Sequence, residues 1–171
     1  MRRLKIGFDV DDVLFDFYPS FCKKYNIELK PCDIWSEEES GVTPEKLNSL
    51  DGEFWGSLNP IFNISEIEFE IDCYLTSFPK KYLMNRIENM LSHKLPVREF
   101  ICCSSSEKLN YIIEKEIDIF VDDNPNTIKM IRDANTKCVP IQLLPPYSTT
   151  ELVKNVLVVK NYKELNNLLK K

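Results

Sequence analysis

The sequence predicts an α/β protein: a three-layer, Rossmann-like parallel sheet with a small, mainly helical insertion after the first strand. Three observations predict it. Short apolar runs of strand length alternate with amphipathic helical patterns along most of the chain. Polar residues collect where those runs end. Residues 14–70 break the alternation with an aromatic-rich, polar stretch. Strand–helix–strand repeats imply right-handed crossovers, and so a parallel sheet with helices on both faces. In such sheets ligands bind at the carboxyl ends of the strands.

The elements follow in order. Residues 4–8 form a compact apolar run ending at Asp9, which suits a buried strand. Residues 71–75 form a second, ending at Thr76 and Ser77. A helical pattern follows over 80–91, with Tyr82, Leu83, Ile87, Met90 and Leu91 apolar. A third run, 100–103, ends at Ser104, and 108–115 places Leu109, Ile112 and Ile113 on one side of a helix. The fourth run, 117–121, ends at Asp122 and Asp123. Pro125 then suits the first turn of a helix over 125–132. Residues 138–144 carry Pro140, which predicts an edge or irregular strand. A short sixth strand over 156–159 and an amphipathic helix over 162–169 complete the pattern.

A chain of 171 residues has the length of one domain with room for an insertion. Residues 1–13 and 71–171 are assigned to the α/β core, and 14–70 to a helical cap at its active edge. The net charge of −5, with acidic residues spread along the chain, argues against a broad basic face for extended nucleic acid. It leaves room for a pocket that takes one phosphate. No run approaches the ~20 apolar residues of a membrane span. The opening MRRLKIGFDV leads straight into acidic residues and reads as a strand, so the expected location is the cytoplasm, with no membrane partner. The six cysteines form no CxxC pair and the one histidine is His93, a poor set for zinc. Reduced thiols acting as small hydrophobes are expected. A Ser-His-Asp triad would have to draw on His93, which sits at a polar helix end.

Four segments carry the chemistry. In Asp9-Val10-Asp11-Asp12, two carboxylates at i and i+2 can both reach a site as the chain leaves a strand. One can attack while the other handles protons; an acidic loop capping the next helix is the plainer alternative. Asp122-Asp123-Asn124-Pro125 gathers carboxylates that are costly to bury without a cation. Hard oxygen ligands without histidine or paired thiols suit Mg²⁺, and a simple N-cap before Pro125 is the alternative. Thr76 and Ser77 offer hydroxyls and amides for phosphate oxygens, although a turn would look the same. Lys108 heads a helix one helix and one strand before Asp122, and could balance Asp9 and a phosphate; a solvated surface lysine is the plainer alternative.

In order and spacing these segments resemble the motifs of the haloacid dehalogenase-like superfamily. Within it they resemble the 5′(3′)-deoxyribonucleotidase-like phosphatases, over residues 4–144. FDVDDVLFDF resembles the first motif, YLTSFP the second, and SSEKLNYIIEKEIDIFVDDNP the third and fourth. The resemblance implies that Asp9 attacks phosphorus to form an aspartyl-phosphate. Asp11 would protonate the leaving oxygen and then take a proton from water. Thr76 would bind a phosphoryl oxygen, assisted by Ser77, and Lys108 would stabilise Asp9 and the transferring group. Mg²⁺ would be held by the Asp9 carboxylate, the Asp11 carbonyl and Asp122, with Asp123 close by. Cap aromatics in this family stack a base, and Phe17, Phe54 and Trp55 fall where that set is expected; a small core of the cap's own is the plainer alternative for each of them. Trp35 matches no role.

Two positions depart from the pattern. Asp12 stands where many relatives have Gly, a change that Asp's tolerance of turn conformations accommodates. Phe78 stands where relatives often carry a basic or small residue. The serines before Glu107 match no pattern. The expected function is release of phosphate from a nucleoside monophosphate. A phosphatase for another small ester or a nucleic-acid end is the second reading. A non-catalytic Mg²⁺- or phosphate-binding protein on the same fold is the third.

Overall fold

The computed structural model describes residues 2–170. Six strands form one sheet: β1 (Ile6–Phe8), β2 (Cys73–Thr76), β3 (Phe100–Cys102), β4 (Ile119–Asp122), β5 (Val139–Leu143) and β6 (Leu157–Val159), in the order β3-β2-β1-β4-β5-β6. Every pairing is parallel. The chain builds outward from β1 to β2 and β3, then returns to the other side of β1 to add β4. The strand order therefore reverses at β1, and the crevice beyond its carboxyl end is where such sheets take ligands.

Residues 14–70 form four short helices, α1 (Phe17–Tyr25), α2 (Glu37–Ser40), α3 (Pro44–Asn48) and α4 (Gly52–Gly56), then a 3₁₀ turn at Ile64–Glu66. Ser36, Thr43 and Asp51 cap α2, α3 and α4 by accepting from Glu39, Lys46 and Phe54 amides. Helices of one turn do not stand alone in water, and apolar packing holds these. Phe15, Phe21, Trp55 and Leu58 join the same buried cluster as Phe8 and Val121 of the sheet. After β2, a 3₁₀ turn leads into α5 (Leu83–Ser92). Then come α6 (Lys108–Glu114), α7 (Pro125–Asp133) and α8 (Tyr162–Leu169).

The period-two alternation of strands divides the core between the two faces. Val121 and Ile141 pack with Tyr162 and Leu165 of α8 and with the inserted segment. Phe120, Cys73 and Leu75 pack with Ile112 of α6 and Ile131 of α7. Three layers result. Gly7 of β1 sits where a Cβ would lie 3.0 Å from both Ile117 and Phe120 side chains, so the close approach there calls for glycine. Among the described residues no helix is long and apolar enough to cross a membrane.

Two sequence expectations are corrected. Strand β5 is interior, not an edge, because β6 pairs beyond it. Pro140 is tolerated because Val139 donates to Asp118 on the β4 side. Amides alternate sides along a strand, so position 140 faces β6, where pairing begins only at Ile141. In α5, Leu91 of the expected apolar stripe is exposed, and the buried residues are Arg86, Asn89 and Met90. The cause lies in α4, whose last carbonyls have no helical partner. Asn89 donates to the Gly56 and Leu58 carbonyls at 3.1 and 3.0 Å, and Arg86 lies 3.5 Å from the Trp55 carbonyl.

Candidate active site

Three parallel strands and one helix end at the same place. Strand β1 stops at Asp9, β2 at Thr76 and β4 at Asp122, while α6 begins with Lys108. Lys108 is 3% exposed, and its ammonium donates to Asp9 Oδ1 and Asp122 Oδ2, both at 2.7 Å. Burial alone would lower the lysine's pKa. The facing charges of Asp122 and Asp9 outweigh it and hold the ammonium above its ordinary range. Asp122 also accepts from the Asn124 amide at 2.8 Å, yet burial pushes its carboxyl up to about 6.

Asp123 is 2% exposed and neither carboxylate oxygen has a partner. Burial and the neighbouring charge of Asp122 raise its pKa well above the usual carboxylate range. Asp9, Asp122 and Asp123 each offer an oxygen, and these lie within 4.8 Å of one another. Three carboxylates against one ammonium leave an unbalanced negative charge in a buried place. A divalent cation with a preference for oxygen fits that set, and the unpartnered Asp123 oxygens are the sign of it.

Asp11 faces the same cavity with a partly exposed side chain. One oxygen lies 3.4 Å from the Thr76 hydroxyl, and the other takes the guanidinium of Arg86. Thr76 itself is fully buried, whereas Ser77 is exposed and lines the cavity. Asp12 turns away at φ 56°, the left-handed conformation that glycine would favour. It accepts from the Tyr18 amide at 2.9 Å and the Tyr147 hydroxyl at 2.5 Å. Burial nonetheless raises it to about 7.

The cavity holds about 380 Å³, within the range of small-molecule sites. Asp9, Asp11 and Lys108 form its floor. Phe17, Ile34, Trp35, Val42, Leu47 and Trp55 give it apolar walls. Of the three expected base-stacking residues, Phe17 and Trp55 line it, stacked on each other with centroids 5.6 Å apart. Phe54 does not; it lies behind them, edge-on to both, at 5.9 and 5.4 Å. Trp35, 46% exposed, is a wall that the sequence did not single out. Phe78 packs against Trp55 and Phe100 and does not line the cavity.

Sequence reasoning also missed Arg86 and the serines before α6. Arg86 is fully buried, with its guanidinium over the Phe15 ring at 5.0 Å and the Trp55 ring at 5.8 Å. Burial lowers its pKa to about 9, which leaves it protonated at neutral pH. Its place four residues before the buried Met90 was the available signal. Ser104 has a plain role: Glu107 accepts from its amide at 2.9 Å and its hydroxyl at 2.7 Å, which folds the loop that delivers Lys108, while Ser105 lines the cavity.

No protein-family model matches the chain. A curated protein of Bacillus cereus named "Putative nucleotidase" is 25% identical over 193 aligned residues, covering 98% of this chain and 99% of its own. The crystal structure of an L-2-haloacid dehalogenase superposes with a TM-score of 0.65 at 13% identity, over 99% of each chain. A haloacid dehalogenase-like family hydrolase from Xanthomonas campestris superposes at 0.58 and 11% identity, over 99% of this chain and 96% of its own. The chain has the haloacid dehalogenase-like α/β fold.

Proposed function

We propose that this chain is a Mg²⁺-dependent phosphomonoester hydrolase that releases phosphate from nucleoside monophosphates. The observation that carries the reading is the buried Lys108 ammonium bridging Asp9 and Asp122, with the unpartnered Asp123 beside them and Asp11 facing the same cavity.

The carboxylates of Asp9, Asp122 and Asp123 and the Asp11 carbonyl are the groups that would hold Mg²⁺. Bound there, the ion would neutralise charge on the transferring phosphoryl group. Asp9 Oδ forms a bond to phosphorus as the bond to the leaving oxygen breaks, and Asp11 gives that oxygen its proton. The products are an alcohol, an aspartyl-phosphate and the Asp11 carboxylate. Asp11 then takes a proton from water as the water oxygen bonds to phosphorus and the Asp9–phosphorus bond breaks, which frees phosphate. Lys108 balances Asp9 and the phosphoryl oxygens throughout, the kind of charge stabilisation that phosphoryl transfer chiefly requires. Ser77, exposed in the cavity, supplies a hydroxyl to a phosphoryl oxygen, while the buried Thr76 keeps its hydroxyl on Asp11.

The walls favour the nucleotide. Among the described residues Lys108 is the sole Lys or Arg lining the cavity, which suits one phosphate and not a chain of them. The rings of Phe17, Trp55 and Trp35 in the lining suit an aromatic base, with ~1–3 kcal/mol for a stack. Removal of halide from a 2-haloacid is the second reading on this fold. Halide leaves without a proton, whereas an alkoxide needs one, and Asp11 stands in the cavity as a group able to provide it.

The test is phosphate release from nucleoside mono- and triphosphates, sugar phosphates and a 2-haloacid, in Mg²⁺ or EDTA. The expected result is Mg²⁺-dependent turnover, highest on a nucleoside monophosphate and lost in Asp9→Asn. Halide release without phosphate release would overturn the reading.

A further inference from the structure

Arg86 has no assigned part in the chemistry, yet its place is costly. A guanidinium with no exposure gives up its hydration, and here its Nε has no partner at all. A hydrophobic side chain of similar length would fill the same space between two aromatic rings without that loss. The charged end has one carboxylate partner, Asp11, and one carbonyl at the edge of hydrogen-bond range, that of Trp55. Phe15 and Trp55 cover it on its faces, so it has no room to swing.

Asp11, by contrast, sits on a loop at the end of β1 and is partly exposed. A carboxylate there has several rotamers, and one of them must aim at the leaving oxygen. What fixes it is a contact at each oxygen, one of them the long approach of Thr76 at 3.4 Å and the other Arg86. The rigid partner is Arg86. It is anchored in turn through α5, where Asn89 donates to the Gly56 carbonyl at the end of α4 and to that of Leu58 just beyond, and Gly52 and Gly56 of α4 face Asn85. The helix that carries Trp55 into the cavity wall thus also fixes the cation that holds Asp11.

We propose that Arg86 is a positioning residue. It orients the Asp11 carboxyl towards the leaving-group oxygen and ties that orientation to the seat of the cap helix α4. The proposal rests on the phosphatase reading above. Its chemical consequence is selective. Transfer of the Asp11 proton matters most when the departing oxygen is a poor leaving group, as in an alkyl ester. It matters least for an aryl ester whose phenolate leaves unaided.

The experiment compares kcat for a nucleoside 5′-monophosphate and for p-nitrophenyl phosphate in wild type, Arg86→Met, Asp11→Asn and the double variant. Met keeps the unbranched length between the rings and removes charge and donors. The expected result is that Arg86→Met lowers the alkyl-to-aryl ratio of kcat at least ~10-fold, and that Arg86→Lys recovers part of it. In the Asp11→Asn background Arg86→Met changes the ratio no further, because the two act as one unit. Should Arg86→Met fail to fold, Arg86→Gln carries the same comparison. Equal slowing of both esters, or the same drop in ratio with Asp11 already replaced, overturns the proposal while leaving the phosphatase reading intact. A wild type inert towards both esters overturns that reading and the proposal with it.

Discussion

At the scale of single residues, the site is a question of where charge is left over. Lys108 faces two carboxylates and satisfies both, while Asp123 faces none of the opposite sign. The two residues therefore respond oppositely to neutralisation in the metal-free protein. Lys108→Met leaves Asp9 and Asp122 buried against each other, and breaking a buried pair in this way costs ~3–5 kcal/mol. Asp123→Asn removes a carboxyl whose raised pKa costs stability above its unfolded value, and raises stability at neutral pH. Urea denaturation in EDTA reads both: the midpoint falls in the first variant and rises in the second. Added Mg²⁺ raises the wild-type midpoint and fails to raise that of Asp123→Asn. A midpoint that fell in both variants would show that Asp123 has a partner the charge balance leaves out.

At the scale of elements, helix ends explain more than helix faces. Helix α8 begins with Asn161 accepting from the Glu164 amide at 2.9 Å, while Glu164 reaches back to the Lys160 amide at 2.8 Å. Asn161→Ala removes the cap of a helix that seats Tyr162 and Leu165 in the core, and is expected to cost ~1 kcal/mol. Phosphate release per folded molecule should be untouched, since α8 lies outside the cavity; a change in kcat would contradict that separation. Elements such as α8 were legible because an amphipathic pattern marks a helix with one buried face. The strand ends were legible for a related reason: a buried parallel strand is an uninterrupted apolar run, and Asp9, Thr76 and Asp122 each stand where one stops. The buried face of helix α5 was only partly legible: Met90 packs in the core as an apolar stripe predicts, whereas Arg86 answers to Asp11 and Asn89 to the Gly56 carbonyl at the end of α4. Nothing local in the sequence announces that partner, which comes from an element some thirty residues earlier. Phe54 and Trp35 show the same limit: composition marks aromatics, but only packing decides which face a cavity.

At the scale of the whole molecule, the fold brings four carboxylates to one end of the sheet with a single ammonium to answer them. Asp9, Asp12, Asp122 and Asp123 are all buried, and Lys108 lies among them. Burial raises Asp12 to about 7 and Asp122 to about 6, with Asp123 also raised. An unfolded Asp titrates near ~3.9. Between that value and about 7 the folded chain therefore binds more protons than the unfolded one. Stability from these groups is full below about pH 4 and is lost as pH rises through 6 to 7. The metal-free protein should accordingly be less stable at about pH 8 than at about pH 5, by at least ~1 kcal/mol. That is the reverse of a protein held by surface ion pairs of Asp and Glu. Mg²⁺ held by these carboxylates as proposed would bind only the folded state, and at ~100 times its Kd would add ~2.7 kcal/mol. Its affinity grows as the carboxylates ionise, so the gap between the two pH values should narrow or reverse. Asp12→Asn separates the contributions, since an amide oxygen can still accept from Tyr18 and Tyr147 while the residue no longer titrates. Urea midpoints at the two pH values, in EDTA and in Mg²⁺, decide it. In EDTA the Asp12→Asn profile should be flatter than wild type but not flat, because Asp122 and Asp123 remain. A wild type as stable at about pH 8 as at about pH 5 in EDTA would mean that the buried carboxylates are neutralised by the protein itself, and the case for a cation at this end of the sheet would fail.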